Sequence, residues 1–348
     1  MEREARTAGA DIAAVVYNYN YARFVGDAIE SVLDQREPFD EVIVVDDGST
    51  DDSLDVMRRY EPAVRLVTKE NGGALSACLA GFAASTATYV YFLDADDLAA
   101  PDLVEKVRPR LATRPMKVQF PLRSVDADGR QTGSVFPTVP EGYDAAMMRE
   151  DNRTQGFYVC PPTSGNVYHR SMLDEVACAD FDPREDCDGT LALMVPYRGD
   201  IVALNEPLAR YRVHGDNKDR YFAPTPSRLR GELDRFDRRW AQLCTLFGWA
   251  APPFGAQQPG YVRERELMLA ALEGHRWIGR EVVGYASALA RSNLPLPQRV
   301  ALTAWAAALT APVQPWRERL IASRRSPAAR PGALQRAVRL LRYATARA

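Results

Sequence analysis

The chain has 348 residues, 46% hydrophobic and 26% charged, enough for about two globular domains of ordinary soluble composition. This excludes a disordered tail protein. Five cysteines (Cys78, Cys160, Cys178, Cys187, Cys244) with no C-x-x-C pair exclude a disulfide-stapled miniprotein and point to a reducing compartment. The formal net charge of -2 conceals a reversal: residues 221–348 carry 20 Arg, no Lys and 8 acids, residues 1–220 the other 24 basic and 38 acidic residues.

Met1 to Asp11 holds three acidic residues and no apolar run, so it does not read as a signal peptide. Strands are expected at Ile12–Tyr17, Glu41–Asp46, Val64–Thr68 and Tyr89–Asp94. Helices are expected between them at Ala22–Leu33, Asp52–Tyr60 and Ala74–Ala84. This alternation is the pattern of a parallel α/β sheet. Asp102–Ala112 reads as a fourth helix bent or ended by Pro109. From Pro115 to Thr163 the pattern is irregular, with a β-like piece at Lys117–Phe120. A further α/β piece ends in strand-like Ile201–Leu204 and Leu208–Val213. Beyond that the period is helical, at Ser227–Gly248, Val262–Ser292, Leu296–Ala311 and Gly332–Ala346. The longest apolar stretch, Val300–Val313, has 14 residues, short of the ~18–20 that span a bilayer.

In an open parallel sheet, ligands bind beyond the carboxyl ends of the strands. The four expected strand ends present Tyr17-Asn18-Tyr19-Asn20, Asp46-Asp47-Gly48-Ser49-Thr50-Asp51-Asp52, Lys69-Glu70-Asn71-Gly72-Gly73 and Asp94-Ala95-Asp96-Asp97. Carboxylates gathered on one edge repel one another, and a hard divalent cation, Mn²⁺ or Mg²⁺, relieves that repulsion through oxygen ligands. Asp94 and Asp96, two residues apart at the end of an apolar strand, are the candidate pair. Capping of the following helix is the competing role for Asp96 or Asp97, and for Asp51 or Asp52. Asp47 offers an acceptor for a nucleobase N–H, and Tyr19 an aromatic face or a hydroxyl. Neither G-x-G-x-x-G after the first strand nor a Walker A loop is present.

As a set, Val15–Tyr21, Val44–Ser49, Asn71–Gly73 and Phe92–Asp97 resemble glycosyltransferase family 2. Pro161–Asn166, Glu185–Asp188 and Tyr211–Asn217 extend the likeness over about residues 10–220. The resemblance implies a GT-A fold: a mostly parallel, Rossmann-like sheet with helices on both faces. The catalytic domain would span 1–220, with a nucleotide-sugar half (10–112) and an acceptor-side half (113–220), followed by a helical, Arg-rich region (221–348). It implies a metal-dependent, inverting transfer of one sugar from a nucleoside-diphosphate sugar to a saccharide or lipid-linked saccharide, in polysaccharide or glycolipid assembly. Tyr17 and Tyr19 would line the base pocket, and Asp47, Asn71 and Gly72 would also contact the donor. Asp94 and Asp96 would hold ribose and metal. Read from the residues rather than the likeness, His214, after a strand-like run, offers a neutral imidazole to complete the metal shell or an imidazolium to pair with a diphosphate oxygen. A carboxylate of the acidic motif would be the general base, Asp188 first, then Asp186, with Glu185 the remaining candidate. A solvated acidic loop and a plain surface histidine are the competing readings.

Two departures stand out. Cys78 and Leu79 occupy positions where many relatives carry Arg and Asn, and no Gln-x-x-Arg-Trp follows His214, which argues against a processive polymerase. The C-terminal segment 317–348 has nine Arg against one Glu, and Leu334, Ala337, Val338 and Leu341 share a helical face. Such a segment suits an anionic membrane surface, placing the protein in the cytoplasm or on the inner face of the membrane. Packing on the catalytic domain with solvated arginines is the alternative. Nothing resembles a nucleic-acid-binding module. A nucleotidyltransferase would show a Gly-rich basic loop that Tyr17–Arg23 lacks. A non-catalytic partner subunit would not need the intact Asp94 and Asp96.

Overall fold

The computed structural model describes residues 10–140, 142–179, 181, 185, 187–215, 225–275 and 278–325. The chain divides into two compact units, Met1–Arg149 with Val159–His214, and Glu150–Tyr158 with Gly215–Ala348.

The first unit opens as the sequence leads one to expect: β1 (Ile12–Asn18), α1 (Ala22–Leu33), β2 (Glu41–Asp46), α2 (Ser53–Arg58), β3 (Arg65–Thr68), α3 (Ala74–Ala84) and β4 (Tyr89–Asp94). Ile12 to Val16 are wholly buried with no polar alternation, which is what a parallel strand covered on both faces requires. On α1, Phe24, Val25, Ala28, Ile29 and Val32 form the buried stripe of an amphipathic helix. Gly81 lets α3 approach the sheet closely: a Cβ there would lie 2.3 Å from Val15 Cγ1.

Next come β5 (Leu98–Ala99) and α4 (Leu103–Val107), which passes into a 3₁₀ turn over Arg108–Thr113 at Pro109. The stretch that reads as irregular in sequence contains β6 (Lys117–Gln119), β7 (Leu122–Val125), β8 (Gln131–Phe136) and α5 (Ala145–Gln155). β6 and β7 are too short to show a period; β7 pairs locally with β8, and the other partners are remote. β6 pairs with β9 (Asn166–His169) and β10 (Ile201–Ala203), and β7 with β11 (Ala209–Arg212). α6 (Arg170–Ala177) and α7 (Cys187–Met194) complete the unit. The main sheet has the order β10-β6-β9-β4-β1-β2-β3, with β9 antiparallel to both neighbours; a second sheet runs β5-β11-β7-β8.

The second unit is helical: α8 (Pro226–Phe247), α9 (Gly260–Leu272), α10 (Gly279–Ala290), α11 (Leu296–Ala308) and α12 (Gln314–Arg325). The single helix expected over Val262–Ser292 is two. Gly274, at φ +74°, ends α9, and the His275 amide bonds back to the Ala270 carbonyl, a left-handed C-terminal cap. Phe157 packs on Phe236 and Tyr261 at 5.9 and 4.8 Å, tying Glu150–Tyr158 to this unit. The expected Gly332–Ala346 helix lies outside the described residues. Among the described residues, no helix is long and apolar enough to cross a membrane.

Candidate functional site

The carboxyl ends of β1 to β4 share one edge, because parallel register sets Tyr17 beside Asp94 and Asn18 beside Asp46. The first two motifs are then laced together by side chains. Asn18 Nδ2 donates to Ser49 Oγ (3.0 Å), and Asn20 Oδ1 accepts from the Thr50 amide (2.7 Å). Tyr19 remains exposed. Asp51 accepts from the Ala22 and Ser53 amides (3.0 Å each), the first residues of α1 and α2; the N-cap residue of α2 is Asp52, whose side chain makes no capping bond.

Asp47 is buried and held on both oxygens. Oδ1 accepts from Lys69 Nζ (2.6 Å) and the Gly72 amide (3.0 Å), Oδ2 from the Gly73 amide (2.9 Å). The second and third motifs therefore form one structure. Gly48, at φ +74°, makes this possible: a Cβ there would come within 2.7 Å of the Asn71 nitrogen. Asn71 itself is exposed, and Cys78 is buried inside α3. Lys69 is a partner that sequence reading passed over; its position at the end of β3, facing an acidic strand end, was the available signal.

The fourth motif is held from three directions. Asp94 Oδ1 accepts a hydrogen bond from the Tyr17 hydroxyl. Ser164 Oγ accepts from the Asp94 amide (3.2 Å) and donates to Oδ2 (3.4 Å), so the Pro161–Asn166 turn closes on this residue. Asp96 Oδ2 lies 2.9 Å from His214 Nε2. The His214 ring packs on Phe24 (4.6 Å) and meets Tyr21 edge-on (5.7 Å). Beneath them is Arg212, whose side chain is 3% exposed. It donates to the Asp96 carbonyl, the Ala127 carbonyl and Asp27 Oδ2, each at 2.9 Å, and lies 4.8 Å over the Phe24 ring. Its amide donates to Asp97 Oδ1 (3.0 Å). Burial pushes the Asp97 carboxyl well above the usual range, and the charges of Asp96 and Asp94 push the same way. Arg212 lay within the Tyr211–Asn217 likeness but without a role, and Phe24 and Asp27 carried no signal beyond their three-residue spacing on α1.

The acidic motif comes to the same edge through its backbone: the carbonyl of buried Glu185 accepts from the Leu75 amide (3.1 Å) in the first turn of α3. Asp188 is the second residue of α7. Its side chain, and Asp186 entirely, lie outside the described residues, as do Asp216 and Asn217. Among the described residues, no three His, Cys, Asp or Glu side chains come together as a metal-holding group. His169 accepts from the Ser171 amide and packs on Tyr89, a structural role.

The family model described as "Glycosyl transferase family 2" matches residues 13–176. The chain is 34% identical over 217 residues to an uncharacterized glycosyltransferase of Nostoc sp., covering 59% of this chain and 66% of that protein. It is 32% identical over 209 residues to the putative teichuronic acid biosynthesis glycosyltransferase TuaG of Bacillus subtilis, covering 58% of this chain and 79% of that one. The fold is similar to that of S. aureus TarS 1-349, crystallised with UDP-GlcNAc, at a TM-score of 0.54 and 14% identity over 90% of this chain and 91% of that one.

Proposed function

Because the chain belongs to glycosyltransferase family 2 and has its α/β GT-A-like architecture, we propose that it moves one sugar, with inversion, from a nucleoside-diphosphate sugar to an acceptor hydroxyl. The observation that carries this reading is the pairing of Asp96 with His214 at 2.9 Å, beside an Asp94 fixed by Tyr17 and Ser164. The donor set fits a divalent cation. Asp96 and His214 supply an oxygen and a nitrogen donor, and such cations commonly complete their shell with water and substrate phosphate. Mn²⁺ or Mg²⁺ bound there would offset the charge that grows on the departing nucleoside diphosphate.

The chain's own groups supply the rest. Tyr19 and the Asp47–Gly72–Gly73 turn form the base-side wall, with Asn71 next to it. Lys69 and the two glycine amides fix the carboxylate of Asp47 as an acceptor. Asp188, with Asp186 as the second candidate, takes the acceptor proton. The acceptor oxygen then bonds to the anomeric carbon, and the bond to the diphosphate oxygen breaks with its electron pair leaving on the nucleotide. The acceptor is a saccharide or lipid-linked saccharide in polysaccharide or glycolipid assembly, as the name of TuaG supports. The Arg-rich C-terminal region holds the enzyme at the cytoplasmic membrane surface where a lipid-linked acceptor would be found.

Thermal unfolding with a panel of nucleoside diphosphates, with and without Mn²⁺, tests the reading. A matching nucleotide at about 100 times its Kd should add ~2.7 kcal/mol of stability. Asp96→Asn should keep the fold and lose the Mn²⁺-linked part. Wild-type metal dependence in that variant would refute the site.

A further inference from the structure

We propose that the second unit docks on an anionic bilayer surface through the outer face of α11 together with Trp316. The inference rests on the membrane association proposed above and adds the surface that makes it. On α11, Pro297, Val300, Ala301, Ala304 and Ala307 recur at three- and four-residue spacing and are all exposed and apolar. Leu296 (64% exposed) precedes them, and Val313 (55%) and Trp316 (48%) follow. The opposite side of α11 is spent on its own unit. Ala306 is in the core with Leu302 and Trp305 against it, and Trp305 Nε1 donates to the Leu320 carbonyl at 3.0 Å. A helix facing only water ordinarily carries charge on its outer side; the one charged residue of α11, Arg299, donates to the Ala290 carbonyl.

Charge complementarity identifies the occupant. From Val282 to Ala348 the chain has eleven Arg and a single acid, Glu318. Four of those arginines are bonded inside the unit: Arg291 donates to Ser287 Oγ and the Gln258 carbonyl, Arg299 to the Ala290 carbonyl, Arg317 to the carbonyls of Ala311, Ala271 and His275, and Arg324 pairs with Glu264. Arg319 is exposed, and five more Arg with no acid follow in 326–348, outside the described residues. An apolar helical face with a tryptophan, followed in sequence by a cationic segment, combines the two sources of interfacial binding, apolar burial and headgroup attraction. A second copy would carry the same cationic sequence, so charge favours an anionic surface over it.

The test is co-sedimentation of the full chain with vesicles of phosphatidylcholine alone or mixed with phosphatidylglycerol, at low and physiological salt. Wild type should bind the anionic vesicles. Val300→Glu and Trp316→Ala should each bind at least about tenfold more weakly, with unchanged unfolding temperature and nucleotide binding. Removing residues from Ser326 onward should weaken binding by about fivefold per arginine lost. Wild-type binding by Val300→Glu, with loss on truncation, overturns the α11 surface but keeps the electrostatic association. No binding by wild type overturns both. Stronger binding after truncation would mean that residues 326–348, through Leu334, Ala337, Val338 and Leu341, are the occupant. A dimer in sedimentation velocity that Val300→Glu dissolves would make it a second copy, and either result overturns the proposal.

Discussion

Replacing Arg212 by methionine tests whether the buried guanidinium under the fourth motif sets the geometry of the site. Methionine keeps much of the length and packing on Phe24 but no donor. The variant leaves the Asp96 and Ala127 carbonyls without bonds that are 2.9 Å long in the native protein. Each buried polar group so abandoned costs about 1–3 kcal/mol. The Asp27 pair adds less than ~1 kcal/mol, since the Asp27 side chain is 56% exposed. A total of about 3–5 kcal/mol is expected, which at ~2–4 °C per kcal/mol lowers the unfolding temperature by about 10 °C. Because the Asp96 carbonyl is one of the anchors lost, nucleotide affinity should fall as well, and its Mn²⁺ dependence most. Arg212→Lys, with one point charge in place of a fork, should be intermediate in both. Calorimetric unfolding gives the first quantity, and nucleotide titration with and without Mn²⁺, well below the lower transition, gives the second. A methionine variant that unfolds within ~2 °C of wild type would refute the energetic argument. One that loses stability but binds nucleotide like wild type would refute the positioning role.

Asp188→Asn should keep donor affinity by calorimetry and lose ~10²–10⁴ in transfer rate at saturating acceptor, whereas Asp186→Asn should cost much less; the reverse order would exchange the assignments. Gly81→Ala gains ~1 kcal/mol of helix propensity but drives a methyl to 2.3 Å from Val15 Cγ1 and 3.1 Å from Val45 Cγ2. Overpacking costs ~1–3 kcal/mol, so a net loss is expected in thermal unfolding, and a more stable variant would show that α3 can lift away from the sheet. In the second unit, burial alone would raise the Glu264 pKa, but Arg324, Arg265 and the Tyr285 hydroxyl outweigh it and hold the carboxyl below its usual value. A depressed native pKa contributes stability above the unfolded value of ~4.3 that is lost as pH falls through the native one. Glu264→Gln should therefore cost about 2–3 kcal/mol at pH 7, discounted because the Arg324 side chain is 37% exposed, and should flatten the acid side of the stability profile.

The first hundred residues were legible because their information is local. A short unbroken apolar run such as Val42-Ile43-Val44-Val45, bounded by turn signals, reads as a strand covered on both faces, and the amphipathic period of Ala22–Leu33 reads as a helix. Parallel connection then forces the four strand ends, with Tyr17, Asp47, Asn71, Gly72, Asp94 and Asp96, to one edge. Gly274 also lay in plain sight within the expected Val262–Ser292 helix, but a glycine there is compatible with continuing the helix or ending it. Packing of α9 against α10 chose the ending.

Other features had no local signature. Lys117–Gln119 and Leu122–Val125 are too short to show a period; the first becomes a strand only because remote chain lies beside it, and the second joins its local hairpin with Gln131–Phe136 to the distant Ala209–Arg212. Phe157 lies between two stretches of the first unit in sequence, yet belongs to the second through an aromatic cluster whose other members lie beyond residue 230. Ser164 meets Asp94 across 70 residues, and Arg212 meets Asp27 across 185. Sequence by itself determined which residues stand at the strand ends, because periodicity and connection rules act over a few turns of chain. Only the tertiary structure decided which carboxylate each cation, hydroxyl and imidazole would meet, because that choice is made by packing between segments that carry no record of one another in their own sequence.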